Sequence, residues 1–459
     1  MTLASWPGWH TYLAVWGFAA AVRLAYLIAA RPEFTIYYWD IASSLLRDGS
    51  LSLAGVKTAA LEPLYPLFLA AARFLVGDRP TLVQAVQAMV ASAGAVYLYR
   101  LALALTGRRQ VGVAAAALFA VYPLLVRHSI DGTESALLTT LLIAFTYQFV
   151  SMRTTAGAAA AGGWLALAIL TRTVALPLLL VAPLFAAAKN ARMAIALTGA
   201  AVVVLAPYAI RNQMLNGAIV PARTGINLFI ANCEYAAGVI PQYGPDILVP
   251  YGESRLAREG LGDLPATPAA ERETDAAFRR LALAEIRQRP FPVLWLKIRN
   301  AFTFFSPFLV PHRYTSAATT IQLGDHGEFH VTGDRPRPLG QRVVYSLSYG
   351  AVVALAAVGL YVRRQNVGRD AVLWCVVVTF ASVHAVFFPS TRYRAPVDFV
   401  FLFYAAIGIV TFTAHPWRAA EQPLDSDAGN YRRGLNQAVA PQIMRAKYRK
   451  GRSTGEVFW

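Results

Sequence analysis

Ten apolar stretches separated by short cationic loops constrain this 459-residue chain more than any other feature. They fall at about residues 10–30, 82–104, 110–127, 134–151, 157–170, 173–188, 193–210, 343–362, 371–389 and 396–413. Most approach the roughly 20 residues that a helix needs to cross a hydrocarbon core of about 30 Å. With 56% apolar and 15% charged residues, the chain reads as an integral, all-α polytopic membrane protein. The first run is long for a signal-peptide core and leads into Arg31-Pro32-Glu33, so it reads as a retained anchor.

The formal charge of +17 would suit a nucleic-acid partner if the cations lay on one polar domain. They lie instead in short loops and the tail, which speaks against nucleic acid. Alternate loops divide into two classes. One holds Arg108, Arg109, Arg153, Lys189, Arg192, Arg363, Arg364 and Arg369, and the positive-inside rule assigns it to the cytoplasm. The other holds residues 127–134, the Thr171-Arg172-Thr173 turn, Arg211-Asn212 and Arg392-Tyr393-Arg394, and so faces outward. The expected organisation is a membrane module over 1–210 with an external loop at 31–81, an external region at 211–340, further spans over 341–413 and a basic cytoplasmic tail at 414–459. A bacterial inner membrane with the outward face in the periplasm fits this pattern.

Two segments are ambiguous. Residues 31–81 contain LEPLYPLFLAAARFLVG, which Pro63, Pro66 and Arg73 mark as interfacial. Residues 290–311 are long enough to span, but Lys297, Arg299 and several prolines favour an amphipathic helix at the interface, since a span there would reverse everything downstream. Cys233 and Cys375 fall in a polar loop and an apolar run, which argues against a structural disulfide. No short-period repeat or two-fold duplication of the transporter kind is evident.

The outward class gathers the ionisable groups. Glu33 and Asp40 flank the aromatic Tyr37-Tyr38-Trp39, and either reads as a solvated connector acid or as a partly desolvated base at the membrane boundary. Glu134 opens an apolar helix, where an acid also suits the helix dipole. Arg172, Arg392 and Arg394 suit carboxylate pairing or bidentate phosphate binding, with snorkelling as the plainer role. Arg23 within the first span reads as snorkelling, and His384 as a packed histidine.

The order of these motifs resembles the polytopic lipid-linked-sugar glycosyltransferases of the GT-C fold, in particular glycosyltransferase family 39, with its protein O-mannosyltransferase-like and aminoarabinose-transferase-like members. The matching residues are Glu33, Tyr38-Trp39-Asp40-Ile41-Ala42, Asp48-Gly49, Pro63-Leu64-Tyr65-Pro66, Thr133-Glu134 and Leu170-Thr171-Arg172. They continue with Pro207-Tyr208-Ala209-Ile210-Arg211-Asn212, Gly225, Asn227, Ala231-Asn232 and Arg392-Tyr393-Arg394-Ala395-Pro396. Two positions depart from the family pattern: Phe34 stands four before Tyr38 where an Asp is usual, and Glu62 precedes Pro63 where aminoarabinose-transferase-like members carry a basic residue.

The resemblance implies a GT-C-like bundle and transfer of a sugar from a polyprenyl-phosphate donor to a lipid, glycan or protein acceptor at the external face, with inversion. It implies Glu33 as base, with Asp40 as the close alternative, and Glu134 as a further catalytic acid. It places Tyr38, Tyr65 and Asn212 at the substrate and Arg172, Arg211, Arg392 and Arg394 at the phosphate. No cofactor is required; converging carboxylates could accept a divalent metal, but no ligand spacing demands one. The alternative is a transporter or flippase for a lipid-linked or anionic substrate, with the same residues lining a passage.

Overall fold

The computed structural model describes residues 8–32, 34–35, 37–221, 223–262, 267–315, 319–324 and 329–420. The first span is α1 (Trp9–Ala30), which ends where Arg31 turns left-handed and donates its N–H to Leu27 O. Residues 31–81 form two helices, not the single interfacial one expected: α2 (Tyr37–Asp48) and α3 (Leu64–Val76). A small hairpin, β1 (Ser52–Leu53) with β2 (Val56–Lys57), joins them.

The membrane module continues with α4 (Pro80–Thr106), α5 (Arg109–Val121), α6 (Pro123–His128), α7 (Ser135–Ser151), α8 (Thr155–Thr171), α9 (Leu178–Ala187) and α10 (Ala191–Asn216). The expected run 110–127 is thus broken, because Pro123 has no N–H to continue the ladder of α5. α10 runs past the expected end at 210, which puts Arg211 and Asn212 on a helix and not in a loop.

Beyond it come α11 (Thr224–Asn232), α12 (Ala236–Val239), α13 (Val249–Arg258), α14 (Pro268–Gln288) and α15 (Pro290–Phe304). Strand β3 (Arg313–Tyr314) pairs with β6 (Arg335–Pro336), and β4 (Thr320–Leu323) with β5 (Phe329–Thr332). The chain returns through α16 (Leu339–Arg363), α17 (Ala371–Val386), α18 (Thr391–Arg394) and α19 (Asp398–Ala420).

Among the described residues, five helices are long and apolar enough to cross a membrane: Trp9–Ala30, Pro80–Thr106, Ala191–Asn216, Leu339–Asn366 and Thr391–Thr413. The other five expected spans are shorter apolar helices of 10–17 residues. The segment 290–311 gives α15, only 15 residues and so about 22 Å long. Its cations face inward: Lys297 donates to Ala231 O, Arg299 to Ala237 O and Ile240 O, and Arg289 to Asn232 O. These carbonyls close α11 and α12, where cations oppose the negative helix end. Phe291, Leu294, Trp295, Ile298 and Phe302 form the exposed opposite stripe.

Glycines set the tightest crossings. A side chain at Gly162 would strike the backbone of Leu197 on α10, and one at Gly359 or Gly408 would strike the facing backbone of the α16–α19 pair.

Arg23 does not snorkel. It is buried, and it donates to Ala19 O at 3.1 Å, Ala120 O at 3.4 Å and Phe119 O at 3.4 Å. Pro123 deprives Phe119 O of its helical donor, so the guanidinium caps the end that proline creates. At the end of the bundle bearing Arg108 and Arg109, Arg363 binds Asp370 through two bonds of 2.6 and 2.8 Å and also reaches Leu105 O.

Met1–Val410 form one compact unit. The expected tail lies, from residue 421 on, outside the described residues.

Candidate functional site

At the opposite end the loops are stitched together. Thr35 donates its N–H and hydroxyl to Asp131 O at 3.3 and 3.0 Å. Gln84 bridges Pro32 O and Ile130 O, so the first loop lies against the 128–134 loop. Gly132, with φ of +73°, allows this approach: a Cβ there would lie 2.8 Å from Thr35 N. Thr35 and Asp131, from these two loops, are therefore neighbours.

Glu134 is the centre. Its carboxylate is 1% exposed and accepts from Arg172 Nη1 at 2.6 Å and from Arg392 Nη2 at 3.0 and 2.9 Å. Arg172 lies in the extended turn after α8, and Arg392 in α18, so three separate helix ends supply the cluster. Glu134 stands just outside the first turn of α7; burial alone would raise its carboxyl pKa, but Arg392 and Arg172 overcome that and hold it at about 2. It is a fixed anion and a poor proton acceptor. Two guanidiniums against one carboxylate leave the cluster with a net positive charge.

Tyr393 backs this cluster. Arg172 lies 4.6 Å over one face of its ring, and His384 stacks on it at 4.7 Å with a 5° interplanar angle. Ser135, Arg172, His384, Arg392 and Tyr393 line a gap beside it that is too tight to admit a water molecule. Tyr65 donates to Gln87 Oε1 at 2.7 Å and meets Tyr38 edge-on at 5.0 Å. Burial and the nearby Glu134 charge push the Tyr38 hydroxyl well above its usual pKa, which keeps it a hydrogen-bond donor.

The remaining predicted residues divide. Asp40 is exposed on the first turn of α2, and no hydrogen bond or ion pair reaches it among the described residues. Glu33 lies outside the described residues. Arg211 donates to Asn212 Oδ1, Leu51 O and Thr58 O and so pins the β1–β2 hairpin. Arg394 is displaced from the expected phosphate role: fully buried, it binds Asp398 through Nε at 2.8 Å and Nη2 at 3.3 Å and lies 3.6 Å over Tyr349. Glu62, the departure beside Pro63, accepts from Thr173 N and Oγ1, both at 2.8 Å, and so fastens the first loop to the Arg172 turn.

His128 was not legible as a site residue. It is buried and joined through Nδ1 to Asp131 Oδ2 at 2.6 Å, while Asp131 Oδ1 accepts from Thr133 N and Oγ1. The i, i+3 spacing beside Glu134 was the available signal. Among the described residues, no three His, Cys, Asp or Glu side chains converge as metal ligands.

No family model matches the chain, and no curated protein matches it. Among solved structures it is similar to ArnT from Cupriavidus metallidurans in the apo state, at 14% identity over 89% of this chain and 79% of that one, with a TM-score of 0.34. It is likewise similar to the same protein bound to undecaprenyl phosphate, at 15% identity over 90% of this chain and 80% of that one, again at 0.34. At that score the likeness says nothing of activity. What the helices themselves establish is an all-α polytopic membrane architecture.

Proposed function

We propose that the chain is a glycosyltransferase that moves a sugar from a polyprenyl-phosphate donor to a lipid, glycan or protein acceptor at the external membrane face. One observation carries this reading: a buried carboxylate holds two guanidiniums at the junction of three helix ends. A carboxylate, Glu33 or Asp40, takes the proton from the acceptor hydroxyl or amine. The acceptor atom bonds to the anomeric carbon, and the carbon–oxygen bond to phosphate breaks. Its electron pair leaves with the polyprenyl phosphate, and the anomeric configuration inverts. Arg172 and Arg392, oriented by Glu134, stabilise the charge growing on that phosphate. Arg394, neutralised by Asp398, holds α18 in place.

The fixed cation–anion cluster favours surface chemistry over passage, because a transporter must release these groups from one another as its substrate moves. The test is purified protein in vesicles with a radiolabelled polyprenyl-phosphate sugar and a panel of acceptors. Transfer releases free polyprenyl phosphate and labels the acceptor. Movement of intact donor across the bilayer without release would replace this reading with transport.

A further inference from the structure

Arg100 differs from the other buried or half-buried arginines of the spanning helices. Arg23 is met by three carbonyls and Arg363 by Asp370. Arg100 is half-buried in α4, six residues and so about 9 Å before its end at Thr106. Among the described residues it has no hydrogen bond and no carboxylate partner. Its guanidinium lies 4.4 Å over Tyr147 and 5.7 Å over Tyr12. Ring faces attract the charge but leave its N–H donors unsatisfied.

The surroundings suit an anion. Arg109 opens α5 and donates to Thr11 Oγ1 at 3.2 Å, one residue from Tyr12, so both cations lean on the first turn of α1. Tyr97 joins Tyr147 at 6.3 Å and Trp164 at 5.8 Å and so backs the ring on which Arg100 lies. In the described loops at this end the one carboxylate is Asp370, already held by Arg363. In the adjoining turns α1 leaves Trp9, Leu13 and Phe18 exposed, apolar cover that an acyl chain needs and a soluble anion does not.

We propose that Arg100 and Arg109, with the hydroxyls of Thr11 and Tyr12, seat the phosphate of an anionic phospholipid from the leaflet at the basic end of the bundle, far from the transfer site. The site is independent of the transferase reading. A lipid phosphate supplies the acceptor oxygens that Arg100 lacks within the protein, and the tyrosine rings hold the guanidinium at its level.

Native mass spectrometry of the full chain with phosphatidylglycerol and phosphatidylcholine of identical acyl chains tests this. The wild type should retain one phosphatidylglycerol preferentially, and Arg100→Gln should lower that preference at least tenfold. Arg192→Gln, at an exposed position of the same end, should leave it unchanged. Displacement by millimolar inorganic phosphate would make the ligand a soluble anion and overturn the lipid assignment. Equal retention by Arg100→Gln and wild type would overturn the site itself. Should Arg100→Gln fail to fold, Tyr12→Phe keeps the ring and loses the hydroxyl; combined with Arg109→Gln it should weaken retention severalfold, and undiminished retention there also overturns the proposal.

Discussion

Arg392 grips both oxygens of Glu134, at 3.0 and 2.9 Å, from 258 residues further along the chain. If this bond orients the fork for a leaving phosphate, Glu134→Gln should lower kcat by roughly 10²-fold, the scale of a small misplacement of a reacting group. Donor affinity should change less. Single-turnover transfer together with donor binding separates the two, and unchanged kcat would remove Glu134 from the site.

Arg392 and Arg394 should no longer behave alike. Arg392→Lys keeps the charge and loses the two-bond fork, so transfer should drop at least about tenfold. Arg394→Ala strands Asp398 in the bundle and should cost about 3–5 kcal/mol of stability. The apolar pair Arg394→Met with Asp398→Leu should recover much of that loss in detergent melting curves, and a recovered double variant that still transfers sugar would establish Arg394 as structural.

The pH profile identifies the base. A carboxylate base must be ionised to accept a proton, so kcat should fall as acid protonates it. Glu134, held at about 2, cannot produce that limb. The limb should therefore survive in residual Glu134→Gln activity. It should vanish, along with most turnover, in only one of Glu33→Gln and Asp40→Asn.

Gly132→Ala is expected to cost about 1–3 kcal/mol through its left-handed backbone alone. The contact with Thr35 N adds strain at the loop junction. Chemical melts and transfer rates should fall together; a stable variant with lost transfer would show that loop register, not stability, limits the reaction.

Cysteine labelling tests the sidedness. With Cys233 and Cys375 replaced by serine, Asp40→Cys should react with an impermeant reagent from outside and Arg364→Cys only from inside. The reverse result would invert the assignment of both ends.

Apolar runs and loop cations made the order of helices and the separation of the two ends legible, because length and charge act locally. The partners of the arginines were not legible, since Arg23, Arg172, Arg392 and Arg394 look alike in sequence. What separates them is three-dimensional: Arg23 meets carbonyls near Pro123, Arg394 a carboxylate one turn along its own chain, and Arg172 and Arg392 a shared distant acid. The broken span after Val121 could have been read from Pro123, and the extension of α10 through Asn216 was hidden by its polar last turns. Lys297 and Arg299 point to an interfacial helix in the sequence, but their carbonyl partners on other helices lay beyond sequence reasoning.

Two of the three carbonyls that receive Arg23 are synthesised 96 and 97 residues after it. At roughly 5–20 residues per second, translation leaves its guanidinium without them for about 5–20 s. During that interval the first helix carries an exposed charge in its apolar length and is a poor membrane anchor by itself. Its final depth is fixed only when the kinked helix arrives, so early biogenesis of this protein should depend on whatever shelters a half-inserted segment at the translocon.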